Sequence, residues 1–228
     1  MRTLLFLLPA ALLVAQTPTP KTAHLSTTAK TLPSKAPAAE TNYKDSGSPN
    51  APITVEAYTD YECPHCARFY KQFMPQFTAD YIATGKVRFV HRDFPLSQHQ
   101  HAQLAARFAD AAGELGYYDV VVKQIFDTQN IWSFGDGSGK NTGDIDSEVA
   151  KVVPPGAMQK IRELVKSDPR IDASISKDVS MAMSTDHVPS TPTLVIVTKS
   201  GKRELDSNVM DVPYNLFKTY LDGKIAGR

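Results

Sequence analysis

The stretch "YTDYECPHCARFY", residues 58–70, carries both cysteines of the chain, Cys63 and Cys66, with only Pro64 and His65 between them. A pair at this spacing is a structural staple, half of a metal site, or a redox centre that exchanges its disulfide with other proteins. The staple reading is weak. A loop closed over two residues restrains the unfolded chain very little, because the entropic gain grows with loop length. A closed metal site needs four ligands, and the sequence has no second Cys-x-x-Cys to supply them. His99 and His101 form an H-x-H, but in a helical segment they suit solvated surface or packing better than ligation. Redox chemistry is the favoured reading.

The surroundings of the pair set the fold. Before it lies a β-rich run from Ile53 to Tyr58. After it, Phe69, Phe73, Phe77 and Tyr81 recur at i+4 spacing, one stripe of a helix over 63–83, interrupted by Pro75, which predicts a kink. The cysteines therefore follow a strand and open a helix. Positions i and i+3 on a first turn are close enough for a disulfide, with Cα atoms roughly 5–6 Å apart. Cys63 would meet the unpaired amides and the positive end of the dipole, which stabilise a thiolate; Cys66, one turn inward, would be the buried resolving thiol.

Working outward, "KVRFVHRDF" (86–94) reads as a second strand ended by Pro95, with His91 as a structural residue. Residues from about 98 to 186 are helical in pattern, with Asp168-Pro169 as a helix start. The loop "SFGDGSGKNTGD" (133–144) interrupts them; Asp136, Asp144 and Asp146 near it do not match an EF-hand and read as solvated turn residues. "TLVIVT" (193–198) and "KREL" (202–205) form a hairpin about Ser200-Gly201, and Pro213 begins a last helix with Leu216, Phe217, Tyr220 and Leu221. The order is β-α-β, a helical block, then β-β-α. This predicts an α/β protein with one mixed sheet flanked by helices and an all-helical insertion.

The N-terminus has a different character. "MRTLLFLLPAALLVAQ" has a basic Arg2, a short apolar stretch and a small Ala15, the layout of a signal peptide over residues 1–15, in preference to a buried helix interrupted by Pro9. Residues 16–47 are rich in Thr, Pro, Ala and Lys and read as a flexible tether; the folded domain is expected over 48–228. The formal net charge of +1 points to no nucleic-acid partner, and no run of twenty apolar residues predicts a spanning helix.

"CPHC" after a strand, "RDFPL" after the next, an alanine-rich helical insertion and "VPSTPTLVIV" before a hairpin closely resemble the DsbA-like thiol–disulfide oxidoreductases of the thioredoxin superfamily. The resemblance covers residues 51–224. It implies a thioredoxin-like fold, Cys63 as exposed nucleophile and Cys66 as its buried partner. Pro64 and His65 are the dipeptide of the motif, and His65 is the residue that in the family stabilises the Cys63 thiolate. Thr191-Pro192 matches the family's cis-proline loop, with Val188-Pro189 as competitor; Ser190, Thr191 and Pro192 would meet an extended substrate segment by strand addition. Many relatives carry a buried glutamate six residues before the first cysteine. Here that position is Ala57, and strand alternation sends the neighbouring Glu56 to the opposite face.

The resemblance further implies a periplasmic or otherwise extracytoplasmic location reached through the signal peptide, and a dithiol oxidase that donates the Cys63–Cys66 disulfide to exported proteins with reduced cysteines. A mixed disulfide at Cys63 would be resolved by Cys66, no cofactor other than that disulfide would be needed, and a quinone-linked membrane partner would re-oxidise it. The tether is too short and polar for a dimerisation domain, so a monomer is expected. An isomerase or reductase using the same pair is the first alternative, and a carrier binding metal through both thiols the second.

Overall fold

The β-rich run preceding the cysteines becomes the central strand of the molecule. The computed structural model describes residues 42–133 and 144–227. Its sheet has five strands in the order β1 (Asp45–Gly47), β3, β2, β4, β5. β2 (Ile53–Thr59) pairs in parallel with β3 (Val87–Asp93) and antiparallel with β4 (Thr193–Thr198). β5 (Arg203–Asp206) returns antiparallel beside β4, through a turn in which Gly201 takes φ +80°. β2 thus has a hydrogen-bonded neighbour on each side, which is why nearly all its residues are buried.

The aromatic stripe is a helix, but not a uniform one. α1 (Pro64–Arg68) and α2 (Met74–Phe77) alternate with π-helical turns at Phe69–Phe73 and Thr78–Ile82. Pro75 lacks an amide hydrogen and its ring crowds the carbonyl four residues back, so the widened turn just before it accommodates the proline. Phe69, Phe73, Phe77 and Tyr81 all lie in the core against Val55, Ala57, Phe89 and Ile196 of the sheet and Phe217 and Leu221 of α9 (Tyr214–Ile225), defined below.

Among the described residues between β3 and β4 come six helices: α3 (Ala102–Glu114), α4 (Tyr118–Asp127), α5 (Gln129–Trp132), α6 (Ile145–Ala150), α7 (Pro155–Ser167) and α8 (Pro169–Met181), the last running into a π turn at Ala182–Asp186. α9 follows β5. The α/β architecture with a helical insertion matches the order of the sequence patterns. Asp168 caps α8 through the Arg170 amide (2.9 Å). Asp144 caps α6 through Ser147, and Asp146 pairs with Arg162, so both serve helix ends. The insertion has its own core, in which Val121, Ile125, Trp132, Met158, Ile161 and Ile175 meet, and Cys63 and Cys66 belong to that cluster. No helix among the described residues is long and apolar enough to cross a membrane.

One boundary is corrected. Residues 42–47, assigned by composition to the tether, are part of the fold, and β1 (Asp45–Gly47) pairs antiparallel with β3. The signal-peptide stretch 1–15, the tether up to residue 41 and Asp136 in its loop lie outside the described residues. What draws the short polar segment in is Lys44. Its ammonium is buried, ion-paired with Asp93 at the end of β3, with Asp110 of α3 (2.9 Å) and with Asp178 of α8 (3.2 Å). The preceding Tyr43 lies on α3 at Gly113, where an added Cβ would meet its ring at 2.3 Å. Composition misses this because only the tertiary contacts convert a solvated lysine into a buried hub.

Burial alone would favour neutral Lys44, but the three aspartates outweigh it and hold the amine far above its ordinary range. Lys44→Met leaves those carboxylates without their cation and is expected to cost about 3–5 kcal/mol. Urea unfolding of the variant measures it.

Candidate active site

Cys63 ends the loop after β2 in an extended conformation (φ −72°, ψ 123°), and Pro64 occupies the first turn of α1. This is the arrangement in which a proline costs nothing, since the first amides of a helix have no internal partner. The cysteines are free thiols, both buried; Cys63 keeps 5% exposure and Cys66 none. The loop is held from several sides. Asp60 accepts from the amides of Glu62 (2.7 Å) and Leu96 (2.7 Å) and pairs with His99 Nδ1 (2.8 Å). Glu62 accepts from the His101 amide (2.6 Å), and Gln129 of α5 donates to the carbonyls of Tyr61 (2.7 Å) and Cys63 (3.0 Å).

The remote "STPT" element completes the site. The Thr191–Pro192 peptide bond is the only cis bond among the described residues, and Val188–Pro189 is trans. The Cys63 thiol lies 3.4 Å from the Thr191 carbonyl oxygen, across 128 positions of sequence. Ser190 is exposed and its carbonyl accepts from the Thr193 hydroxyl (2.7 Å). Cys63, Cys66, Thr191 and Pro192 are therefore one cluster, with Pro64, His65 and Ser190 at its rim.

The two thiols are driven apart electrostatically. Cys63 is held down at about 5, first by the hydrogen bond from the Cys66 thiol; burial opposes this, and the Thr191 side chain and the amides of Cys66 and His65 add to it. Cys66 is pushed well above 9 by burial, then by its hydrogen bond to Cys63 and the charge there. At neutral pH the site holds one thiolate, at Cys63, and one thiol, at Cys66. A thiolate is the nucleophilic form of cysteine, and here a protonated thiol stands beside it.

His65 contributes differently from a simple charge. Its ring is exposed, with Nδ1 3.3 Å from Arg68 Nη2, and its backbone amide is the group that reaches Cys63. Glu56 is turned away from the cysteines, as alternation requires, and ion-pairs with Arg92 (3.2 Å) and Arg203 (2.9 Å). Asp60, Glu62, His99 and Gln129 are site-building residues that the sequence analysis missed. The two acids at positions −3 and −1 from Cys63 were the available signal; Gln129 had none. His99 proves to be a partner of the active-site loop. Among the described residues, no group of three His, Cys, Asp or Glu side chains is placed to hold a metal ion.

A mixed sheet with a Cys-x-x-Cys at the N-terminus of a helix, faced by a cis-proline loop, defines a thioredoxin-fold protein with a dithiol centre. A thioredoxin family model matches residues 40–209, and the chain belongs to that family, with a DsbA-like form of its fold. The crystal structure of alpha-DsbA1 from Wolbachia pipientis superposes with a TM-score of 0.64 at 22% identity, covering 81% of this chain and 91% of that one. Disulfide bond formation protein D of Bacillus subtilis is 22% identical over 188 residues, 80% of this chain and 77% of that protein. Na(+)/H(+) antiporter NhaA 3 of Salinispora tropica is 40% identical over 73 residues, 32% of this chain, and the chain spans only 11% of the antiporter's length.

Thiolate absorbance of the reduced protein is expected to titrate with a midpoint near 5. Because this lies below the ordinary value of 9, the thiolate stabilises the reduced fold fully above pH 9, by roughly 3 kcal/mol at pH 7, and not at all once pH falls below about 5. The difference in melting temperature between reduced and oxidised protein should therefore shrink as pH falls from 7 to 5. His65→Pro removes the amide donor and should raise the thiolate midpoint, whereas His65→Ala keeps the donor and should leave it in place. The same absorbance titration reads both variants.

Proposed function

We propose that this chain is a DsbA-like protein disulfide oxidoreductase that donates the Cys63–Cys66 disulfide to exported proteins outside the cytoplasm. The observation that carries the reading is the Cys63 sulfur, 3.4 Å from the Thr191 carbonyl oxygen beside a cis-proline, with Cys66 enclosed behind it and its hydrogen bond favouring a Cys63 thiolate. A thiolate this stable favours the reduced state and makes the disulfide an oxidant. The backbone at Thr191 offers hydrogen-bonding groups to an extended substrate, while Ser190 and Pro192 border the same edge. The apolar leader at residues 1–15 and the similarity to a disulfide bond formation protein support export.

In the reaction, a substrate thiolate attacks Cys63 Sγ of the disulfide. The Cys63–Cys66 bond breaks, and Cys66 leaves with the electron pair and takes up a proton. A second substrate thiolate attacks the substrate sulfur of the mixed disulfide and expels Cys63 as thiolate. Two electrons pass from substrate to protein, and the substrate gains one disulfide. A quinone-linked membrane partner would accept the electrons, forming its own mixed disulfide with Cys63, which Cys66 resolves. The protein's redox pair is its own and no further cofactor enters.

Equilibration with glutathione should give a potential nearer about −120 mV than about −270 mV; the latter value would assign the pair to reductive work instead. Cys63→Ser is expected to abolish exchange. Cys66→Ser should accumulate the mixed disulfides at Cys63 that Cys66 resolves, and a variant that traps no partner in cells would remove Cys63 and Cys66 from these roles.

A further inference from the structure

Cys66 presents a problem of proton supply. Its sulfur has no solvent exposure, and its one contact from the preceding loop is the Asp60 amide at 3.4 Å. Yet in every cycle it must take up a proton on leaving the disulfide and lose one before attacking. Asp60 is not the group that handles it, because its carboxylate is occupied by the Glu62 and Leu96 amides and by His99.

Tyr70 lies four positions on along the same helix, the spacing of helical neighbours, and its phenol feels the charge of the Cys66 sulfur. Its hydroxyl is 2.5 Å from His91 Nδ1. His91 is buried in β3, directly paired with Ala57 of β2. Its Nε2 lies 2.9 Å from Thr59 Oγ1 and 3.2 Å from Asp93 Oδ1. Lys44 keeps Asp93 ionised, and an ionised carboxylate only accepts, so Nε2 carries the hydrogen. That leaves the Nδ1 lone pair free to accept from Tyr70. The ring is fixed by Tyr61 stacked on it at 5.2 Å and Tyr118 edge-on at 6.0 Å.

We propose that Tyr70 and His91 are the proton relay of Cys66, with Asp93 holding the tautomer of His91; this rests on the exchange function proposed above. When Cys66 attacks a mixed disulfide at Cys63, its proton passes to the Tyr70 oxygen as the Tyr70 proton passes to His91 Nδ1. The Cys66–Cys63 bond forms, the bond from Cys63 to the partner sulfur breaks, and the partner leaves with the electron pair. His91 is then an imidazolium beside Asp93. When a substrate opens the disulfide the protons run back, and Cys66 is released as a thiol. The relay ends at solvent: Tyr70 and His91 line a cavity of about 620 Å³, together with Tyr43, Tyr118 and Phe126. Water there can exchange the proton of His91 without reaching the cysteines.

The test mixes the reduced full chain with oxidised glutathione, quenches with acid and resolves the Cys63–glutathione species by mass. Its formation reports Cys63, and its decay to the internal disulfide reports Cys66. In Tyr70→Phe and His91→Gln, decay should slow on the order of a hundredfold and change its dependence on pH, while formation keeps its wild-type rate. The charged and titratable groups facing His91 are Asp93, Tyr61, Tyr70 and Tyr118, with Lys44 behind Asp93, so the profile is compared in variants that leave all but the substituted one intact. Tyr70→Phe keeps the ring that stacks on Phe126 at 4.3 Å and serves if His91→Gln fails to fold. A folded Tyr70→Phe variant that decays at the wild-type rate with the wild-type profile overturns the relay alone. A wild-type chain whose glutathione adduct does not decay at all overturns the oxidoreductase reading and the relay with it.

Discussion

A single buried ammonium ties the molecule together. Lys44 reaches the end of β3 through Asp93, α3 through Asp110 and α8 through Asp178. The aspartates come from three different elements, and each would repel the others if the cation were absent. Asp178 also binds Arg92, which passes the network on to Glu56, and Arg203 carries it to Asp186. The helical insertion is in this way locked onto the sheet by charge as well as by packing. The cysteines depend on that lock, since they pack within the insertion's core while the strand that leads to them belongs to the sheet.

The division of labour between the cysteines follows from where this junction puts them. Cys63 retains a little exposure and sits where the helix amides, the Cys66 thiol and the Thr191 side chain converge; Cys66 sits one turn deeper with none. Identical side chains three residues apart thereby acquire opposite protonation states. Neither state is a property of the CPHC tetrapeptide alone. The Thr191 side chain arrives with the cis-proline turn, and the loop geometry is maintained by Asp60, Glu62 and Gln129 from outside the motif.

Much of the fold was legible because its signals are local and periodic. β2, β3, the β4–β5 hairpin, the aromatic helix and α9 each announce themselves through alternation, i+4 spacing or a turn residue. β1 was not legible. Three residues reading Asp-Ser-Gly have no strand propensity and are held by pairing with β3 and by Lys44 next to them. The same limit applied at the site. Cys63, Cys66 and the Thr191-Pro192 element could be picked out from motif and resemblance, whereas Gln129 and the Tyr70–His91 contact could not, because a hydrogen bond between distant residues leaves no periodic trace.

The sequence by itself determined the order of elements, the placement of a Cys-x-x-Cys at a strand-to-helix junction, and the displacement of Glu56 to the far face of its strand. Those follow from local sterics and from the twofold and 3.6-fold periods of strand and helix. The tertiary structure decided which thiol keeps some exposure, that the His65 ring meets Arg68 while its amide faces Cys63, and that the N-terminal polar segment is an integral strand. Each of these turns on burial and on partners brought from far along the chain, and desolvation and charge pairing exist only once the chain has closed around them.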